Sequence, residues 1–367
     1  METEKLKIYV TFCIITCQLF QWSCGNDNSN ISNHNNDSSA VTDNKTNLII
    51  NNPKHLALYT LGDKVDVRAE IPGGIKPDTV SILINNKPQE INKTSLSNSI
   101  KTDSCHTGKN NIQINIWSGG KQYLSDVTII LMSNMVPHKY SYKIIKTYPH
   151  DSKAYTQGLI FDNGFIYEGT GQYSESTLRK NKLQNNELIQ SYNLPEDVFG
   201  EGIVIYKKRI FQLTWQSGIA YEFDKESFKL INKFNFSTEG WGITNLGNNF
   251  VMSDGSNTLY VLNPETFSEI SRIEVYDNIG PVNQLNELEL IDGMIYANVY
   301  QTDFIVIIEP STGRVTGKID CTSLLNKTKV KTRIDVLNGI AWDEQGKRLF
   351  LTGKYWPEMY EVQLLKK

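Results

Sequence analysis

The sequence predicts an all-β chain: a five-bladed β-propeller preceded by a small immunoglobulin-like β-sandwich. Three observations carry this reading. Aromatic residues make up 10% of the 367 residues, and Tyr, Phe, Ile, Val and Thr recur in short runs without long helical periodicity. From Met135 onward a tripeptide recurs at nearly even spacing, as "QGL" at 157, "EGI" at 201, "WGI" at 241, "NEL" at 286 and "NGI" at 338. The steps of 44, 40, 45 and 52 residues each hold about four short strands, which is the arithmetic of propeller blades.

The elements follow in chain order. Residues 1–24 read as an export signal. Lys5 and Lys7 precede the apolar run "IYVTFCIITCQLF" (8–20), which is short of the about 20 residues a membrane span needs. Cys24 follows the small Ser23 and opens a polar tract, a pattern that resembles a bacterial lipoprotein signal with Cys24 as the lipidated residue. Gln21 stands where such signals usually carry Leu. A plain cleaved signal and a retained N-terminal anchor are the alternatives. The expected location is the periplasm or cell envelope, with membrane contact only through the lipid. Residues 25–52 are rich in Asn and Ser and nearly free of large apolar groups, as expected of a tether.

Residues 53–134 alternate apolar and polar side chains in six or seven short runs, punctuated by "INNKP" and "SGGK". That is enough for a small sandwich, read as a spacer or docking module because it shows no chemistry. Residues 135–367 form the repeat region. Each tripeptide is expected to start the innermost strand of a blade, with three more strands behind it. The fifth unit holds only three strands before the chain ends at "MYEVQLL". The segment "KYSYKIIKTYP" (139–149) is expected to supply its fourth and close the ring, which removes open sheet edges.

The formal net charge is −3, so the chain has no basic surplus and nucleic acid is not an expected partner. Of five cysteines, Cys13 and Cys17 lie in the signal and Cys24 carries the lipid. Cys105 and Cys321 remain as separate thiols, and His106, His138 and His150 form no spaced cluster. No metal and no other cofactor is expected, and the chain is expected to act as a monomer.

The repeat geometry gathers the tripeptides at one mouth of the central channel. Gln157, Glu201, Trp241, Asn286 and Asn338 would meet there, and the ends of the second strands would add Trp215, Asp254, Tyr300 and Lys354. A ring of amides, one carboxylate, one cation and aromatics has the makings of a small-molecule pocket. Each residue also has a structural reading. Glu201 could cap backbone amides, Trp215 and Trp241 could be core, and Lys354 could be a solvated edge residue. Asn338 reads best as bonding strand ends, and Asp254 as a turn residue. Glu168 and Arg179 have no assigned role.

The motifs "YPHDSKAYTQGLIF", "FGEGI", "EGWGI", "LNELE", "NVYQTD", "LNGIAWD" and "TGKYWP" occur in order from Tyr148 to Leu364. Together they resemble the glutaminyl cyclases of the plant and bacterial type. The resemblance implies a five-bladed propeller that converts an N-terminal glutaminyl residue of a peptide or protein to pyroglutamate and releases ammonia. It implies Glu201 as the acid/base, with Asn286 and Lys354 at the reacting centre. It places Gln157, Tyr155, Phe199, Trp215 and Trp241 around the substrate. Tyr300 joins them, where plant relatives carry Trp. A single carboxyl can carry the proton from attacking amine to departing nitrogen, and an aromatic cage can hold the side chain in its cyclising conformer. The rival functions are a non-catalytic propeller that binds a ligand or partner and, more remotely, a propeller lyase, for which no His-based relay is visible.

Overall fold

Strands build nearly all the regular structure of the described residues. The computed structural model describes residues 48–367, in which the single helical element is the short turn Lys327–Lys329. Cys24, the export signal and most of the tether lie outside the described residues. No helix among the described residues is long and apolar enough to cross a membrane.

The first unit consists of two sheets. Ile49–Asn52, Lys64–Glu70 and Ser97–Lys101 form a three-stranded sheet. Ala57–Thr60, Thr79–Ile84, Lys87–Pro88, Gly108–Ser118 and Lys121–Met132 form a five-stranded one. Their inward faces share one core that includes Val65, Val67 and Ile100 from the first sheet and Ile82, Ile112 and Ile129 from the second. The two hairpin signals lie where expected. Asn85 and Asn86 take φ of 48° and 64°, and Gly119 and Gly120 take 55° and 74°, the left-handed pair that a two-residue turn requires. One boundary is corrected. Ile49–Asn52 pairs antiparallel with Lys64–Glu70, so the end of the expected tether is a strand of the sandwich. The alternating pattern there is too short to stand out from the polar tract before it.

The repeat region contains five four-stranded sets. Three are separate antiparallel sheets that begin at Thr156–Asp162, Gly200–Tyr206 and Ile243–Leu246. A fourth begins at Leu285–Ile291 and a fifth at Leu337–Asp343. The fifth is completed by His138–Pro149, which pairs antiparallel with the C-terminal strand Glu358–Lys366, as the sequence predicts. The same strand also reaches its neighbour. His138, Lys139 and Tyr140 pair parallel with Gly317, Lys318 and Ile319, which fuses the fourth and fifth sets into one eight-stranded sheet.

The first strands of the five sets touch one another in a closed cycle. Apolar cores fill the gaps between consecutive sets. Tyr167 and Leu178 meet Ile203 and Phe223 in one gap, and Phe211 meets Phe250 and Phe267 in the next. Leu159 and Ile166 meet Phe350 and Met359 where the cycle closes. Burying one such ring or branched side chain is worth about 1.5–3 kcal/mol.

Glycine makes the close approach at the centre possible. A Cβ on Gly158 would lie 2.4 Å from the Ile203 nitrogen, and one on Gly202 would lie 2.6 Å from the Trp241 oxygen. Any side chain there would push the inner strands apart. The fourth set departs from this pattern, because Glu287 stands where the others have glycine. Its carboxylate reaches across the centre and accepts from the backbone N–H of Ile340 at 2.9 Å and of Leu159 at 3.4 Å. Burial, with Glu289 nearby, holds the Glu287 carboxyl well above its usual range, and burial raises Glu289 to about 8.

The sandwich and the ring belong to one compact unit. Thr107 donates to the backbone oxygens of Glu274 and Thr312 at 2.6 and 2.9 Å, and Lys109 N–H donates to the Glu274 carboxylate at 2.6 Å. None of these residues lines the cavity described next.

Candidate active site

Four of the five tripeptides coincide with a local irregularity. The pairing of first and second strands slips between Thr156 and Gly158, Gly200 and Ile203, Leu285 and Leu288, and Leu337 and Ile340. Such a slip in register re-aims the side chain at the start of each tripeptide. Those side chains are Gln157, Glu201, Asn286 and Asn338. The "WGI" copy differs, since its strand begins only at Ile243 and Trp241 precedes it.

A cavity of about 190 Å³ opens there, room for a single amino-acid side chain. Gln157, Glu201, Asn286 and Lys354 line it together with Tyr155, Phe199, Trp215, Trp241 and Tyr300. The nine residues that the resemblance places at the reacting centre or around the substrate therefore share one pocket, whereas Asn338 and Asp254, which the repeat geometry also brought to the channel mouth, do not line it. Gln172 lines it too, with a φ of 93°. It lies in a loop outside the repeat pattern, and no sequence signal marked it.

The walls are two aromatic groups. Phe199 packs edge-on against Tyr155 at 5.9 Å and against Trp215 at 5.6 Å, centroid to centroid. Trp241 packs edge-on against Tyr300 at 5.4 Å. Trp215 is held beside Phe199 because its backbone N–H donates to the Phe199 oxygen, extending the hairpin by one rung. The Trp241 and Trp215 indoles face the cavity, which removes the reading of both as plain core.

Glu201 is 4% exposed, and its Oε1 accepts from Gln157 Nε2 at 2.9 Å. Burial raises its carboxyl well above the usual range; Lys354 opposes the rise and Glu239 adds to it. No backbone amide bonds this side chain among the described residues, so it is not a cap. Gln157 is oriented in turn by Asn338, whose Nδ2 donates to the Thr156 oxygen at 2.9 Å and to Gln157 Oε1 at 3.3 Å. Asn338 thus bonds a strand start, as its structural reading held, and also fixes which end of Gln157 faces Glu201.

Lys354 is 2% exposed, so it is not a solvated edge residue. Its Nζ lies 4.6 Å from the Tyr155 ring centroid and 5.0 Å from that of Tyr300. Burial lowers its pKa, against the pull of Glu201 and Asp335. Two ring faces partly replace the water such a cation loses. Asn286 Oδ1 is buried without a protein partner. Asp254 is a turn residue, as its Oδ1 accepts from the N–H and Oγ of Ser256 at 3.0 and 2.6 Å.

Glu168 sits behind the pocket. Its Oε1 accepts from Thr156 Oγ1 at 2.7 Å and lies 3.1 Å from His150 Nε2. His150 Nδ1 lies 2.6 Å from the Trp356 oxygen. Although burial pushes both groups toward neutrality, their mutual attraction wins, raising the His150 pKa and lowering that of Glu168. This buried pair ties the "YPHD" segment to the strand start that carries Gln157. Arg179 bonds Asp151 at 2.8 Å and is structural. Cys105 and Cys321 are separate, buried thiols. Among the described residues no cluster of three or more His, Cys, Asp or Glu is placed to hold a metal.

Three comparisons bear on this geometry. The glutamine cyclotransferase family model matches residues 123–364. Glutaminyl-peptide cyclotransferase of Arabidopsis thaliana is 36% identical over 227 residues, covering 60% of this chain and 71% of that protein. The crystal structure of Myxococcus xanthus glutaminyl cyclase aligns with a TM-score of 0.60 at 34% identity, covering 63% of this chain and 99% of the other. The matched stretch carries the five strand sets and every pocket residue, and the chain belongs to the glutamine cyclotransferase family.

Proposed function

We propose that this five-bladed ring cyclises the N-terminal glutaminyl residue of peptides or proteins to pyroglutamate, with Glu201 as the proton carrier. The observation that supports it most is a single buried carboxyl, bonded by Gln157 and facing Lys354 across an aromatic cavity. In this reading the neutral α-amine attacks the side-chain carboxamide carbon, and a C–N bond closes the five-membered ring. Glu201 takes the proton from the attacking nitrogen and gives it to the departing one. The C–NH₂ bond breaks, ammonia leaves, and Glu201 returns to its ionised starting state. Asn286 and Lys354 stabilise the oxygen that becomes negative in between. The aromatic walls restrict the glutaminyl side chain to the cyclising conformer, where ring closure is already unimolecular.

The pocket's own side chains supply the proton carrier and the donors, so the reaction is expected to need no bound metal. A Gln-initiated peptide should release one ammonia per chain and become resistant to amine labelling, with chelator making no difference. The same peptide with an acetylated α-amine should be inert. Binding without ammonia would identify a non-catalytic binding protein instead, and strong chelator inhibition would overturn the metal-free route.

We further propose that Cys24 carries lipid and holds the protein in the cell envelope, on the support of the pattern in residues 1–24. Cys24→Ser should move the protein from the membrane fraction to the soluble one. An unchanged distribution would rule the anchor out.

A further inference from the structure

Glu239 lies in the loop between the strands Leu230–Asn235 and Ile243–Leu246, outside the cavity lining. Its Oε2 accepts from the indole Nε1 of Trp215 at 2.7 Å and from that of Trp241 at 2.9 Å. Its Oε1 accepts from Gln216 Nε2 at 3.2 Å. The two indoles come from different strand sets, and each stands in a different aromatic wall. One oxygen therefore ties the two walls together.

We propose that Glu239 is a positioning residue: its carboxylate clamps the Trp215 and Trp241 indoles in their substrate-enclosing orientation and places a fixed negative charge within range of Glu201. Bonds from N–H to a carboxylate are short, strong and directional. An indole has a single N–H, so that bond fixes both the direction and the roll of the ring. Burial pushes the Glu239 carboxyl up, but the donors Trp241, Trp215 and Gln216 outweigh it, so the group stays ionised. The charged and titratable groups around Glu201 are Lys354, Glu239 and the phenols of Tyr155 and Tyr300, with Gln157 as a neutral donor. Of these, Lys354 favours the ionised form of Glu201 and Glu239 opposes it.

The inference rests on the reading of Glu201 as the proton carrier, and two substitutions test it. Glu239→Gln keeps a carbonyl oxygen that can accept from both indoles but deletes the charge. Glu239→Ala deletes both. Glu239→Ala should raise KM and lower kcat/KM by about 10²-fold, the scale of a roughly 1 Å misplacement at a reacting centre. Glu239→Gln should stay within about tenfold of wild type at the optimum, by the same geometric argument.

The pH profile separates clamping from charge. The acid limb of kcat/KM includes the ionisation of Glu201. Without the Glu239 charge, Glu201 ionises more easily, so the limb should move to lower pH in Glu239→Gln. Using one peptide for both proteins cancels the titration of the substrate amine. A purely structural role would leave the limb in place. Wild-type kinetics in Glu239→Ala, or an unmoved limb in Glu239→Gln, overturns the inference; the Gln variant decides it alone if the Ala variant does not fold. If the reading of Glu201 is itself wrong, Glu201→Gln stays active whatever Glu239 does. If only this inference is wrong, Glu201→Gln is inactive and both Glu239 variants follow wild type.

Discussion

Replacing Glu201 by Gln is expected to lower kcat by about 10²–10⁴, the range that a positioned acid/base supplies. The change is nearly isosteric. The new amide oxygen can still accept from Gln157 Nε2, so the pocket should keep its shape and KM should change little. What is lost is the ability to take a proton from one nitrogen and hand it to another. Stability should move the other way. The Glu201 carboxyl is raised in the folded protein, chiefly by burial. The folded state therefore holds this proton more tightly than the unfolded chain does. That contribution is fully present below the usual carboxyl range and is lost as pH rises through the raised value. The Gln variant has no such loss, so its melting temperature should gain on wild type as pH increases. Parallel rate measurements and melts at acid and alkaline pH would check both halves. A fully active Glu201→Gln enzyme would remove Glu201 from the proton path, and a variant that falls behind wild type with rising pH would contradict its burial as a carboxyl.

Much of this site is legible in the sequence because its residues belong to a repeat. Gln157, Glu201, Trp241, Asn286 and Asn338 hold equivalent places in successive units, so spacing alone brings them together. Trp215, Tyr300 and Lys354 follow from the same rule, each one residue past a second strand. The parts that were not legible depend on directions that no repeat fixes. Glu287 looks like an ordinary strand residue, yet it bridges two other inner strands where its counterparts are glycine. Glu239 and Gln172 sit in connecting loops, where chain position says little about what a side chain reaches. His150 and Glu168 are 18 residues apart and read separately as loop and strand, but the ring buries them as a pair. The double pairing of His138–Pro149 was also hidden, because a strand's length does not reveal a second neighbour.

Lys354→Met should lower kcat by about 10²–10³, the usual loss when one donor to a developing oxyanion is removed. Met fills similar volume and is compatible with the Tyr155 and Tyr300 faces, so the loss should lie in charge rather than packing. The ammonium is costly to bury, which is why its pKa is lowered, and the two ring faces and the nearby carboxyls Glu201 and Asp335 hold it in place. Removing it also changes Glu201. Lys354 is the group that opposes the rise of the Glu201 carboxyl, so without it that carboxyl should hold its proton to higher pH still. The acid limb of kcat/KM in Lys354→Met should therefore move up, opposite to its movement in Glu239→Gln. The two shifts test one electrostatic arrangement from both signs, because each variant deletes a single charge near the same carboxyl. Profiles recorded with one peptide on wild type and both variants would show the limbs separating around the wild-type position. If they moved in the same direction, Glu201 would not be the group that titrates on the acid limb.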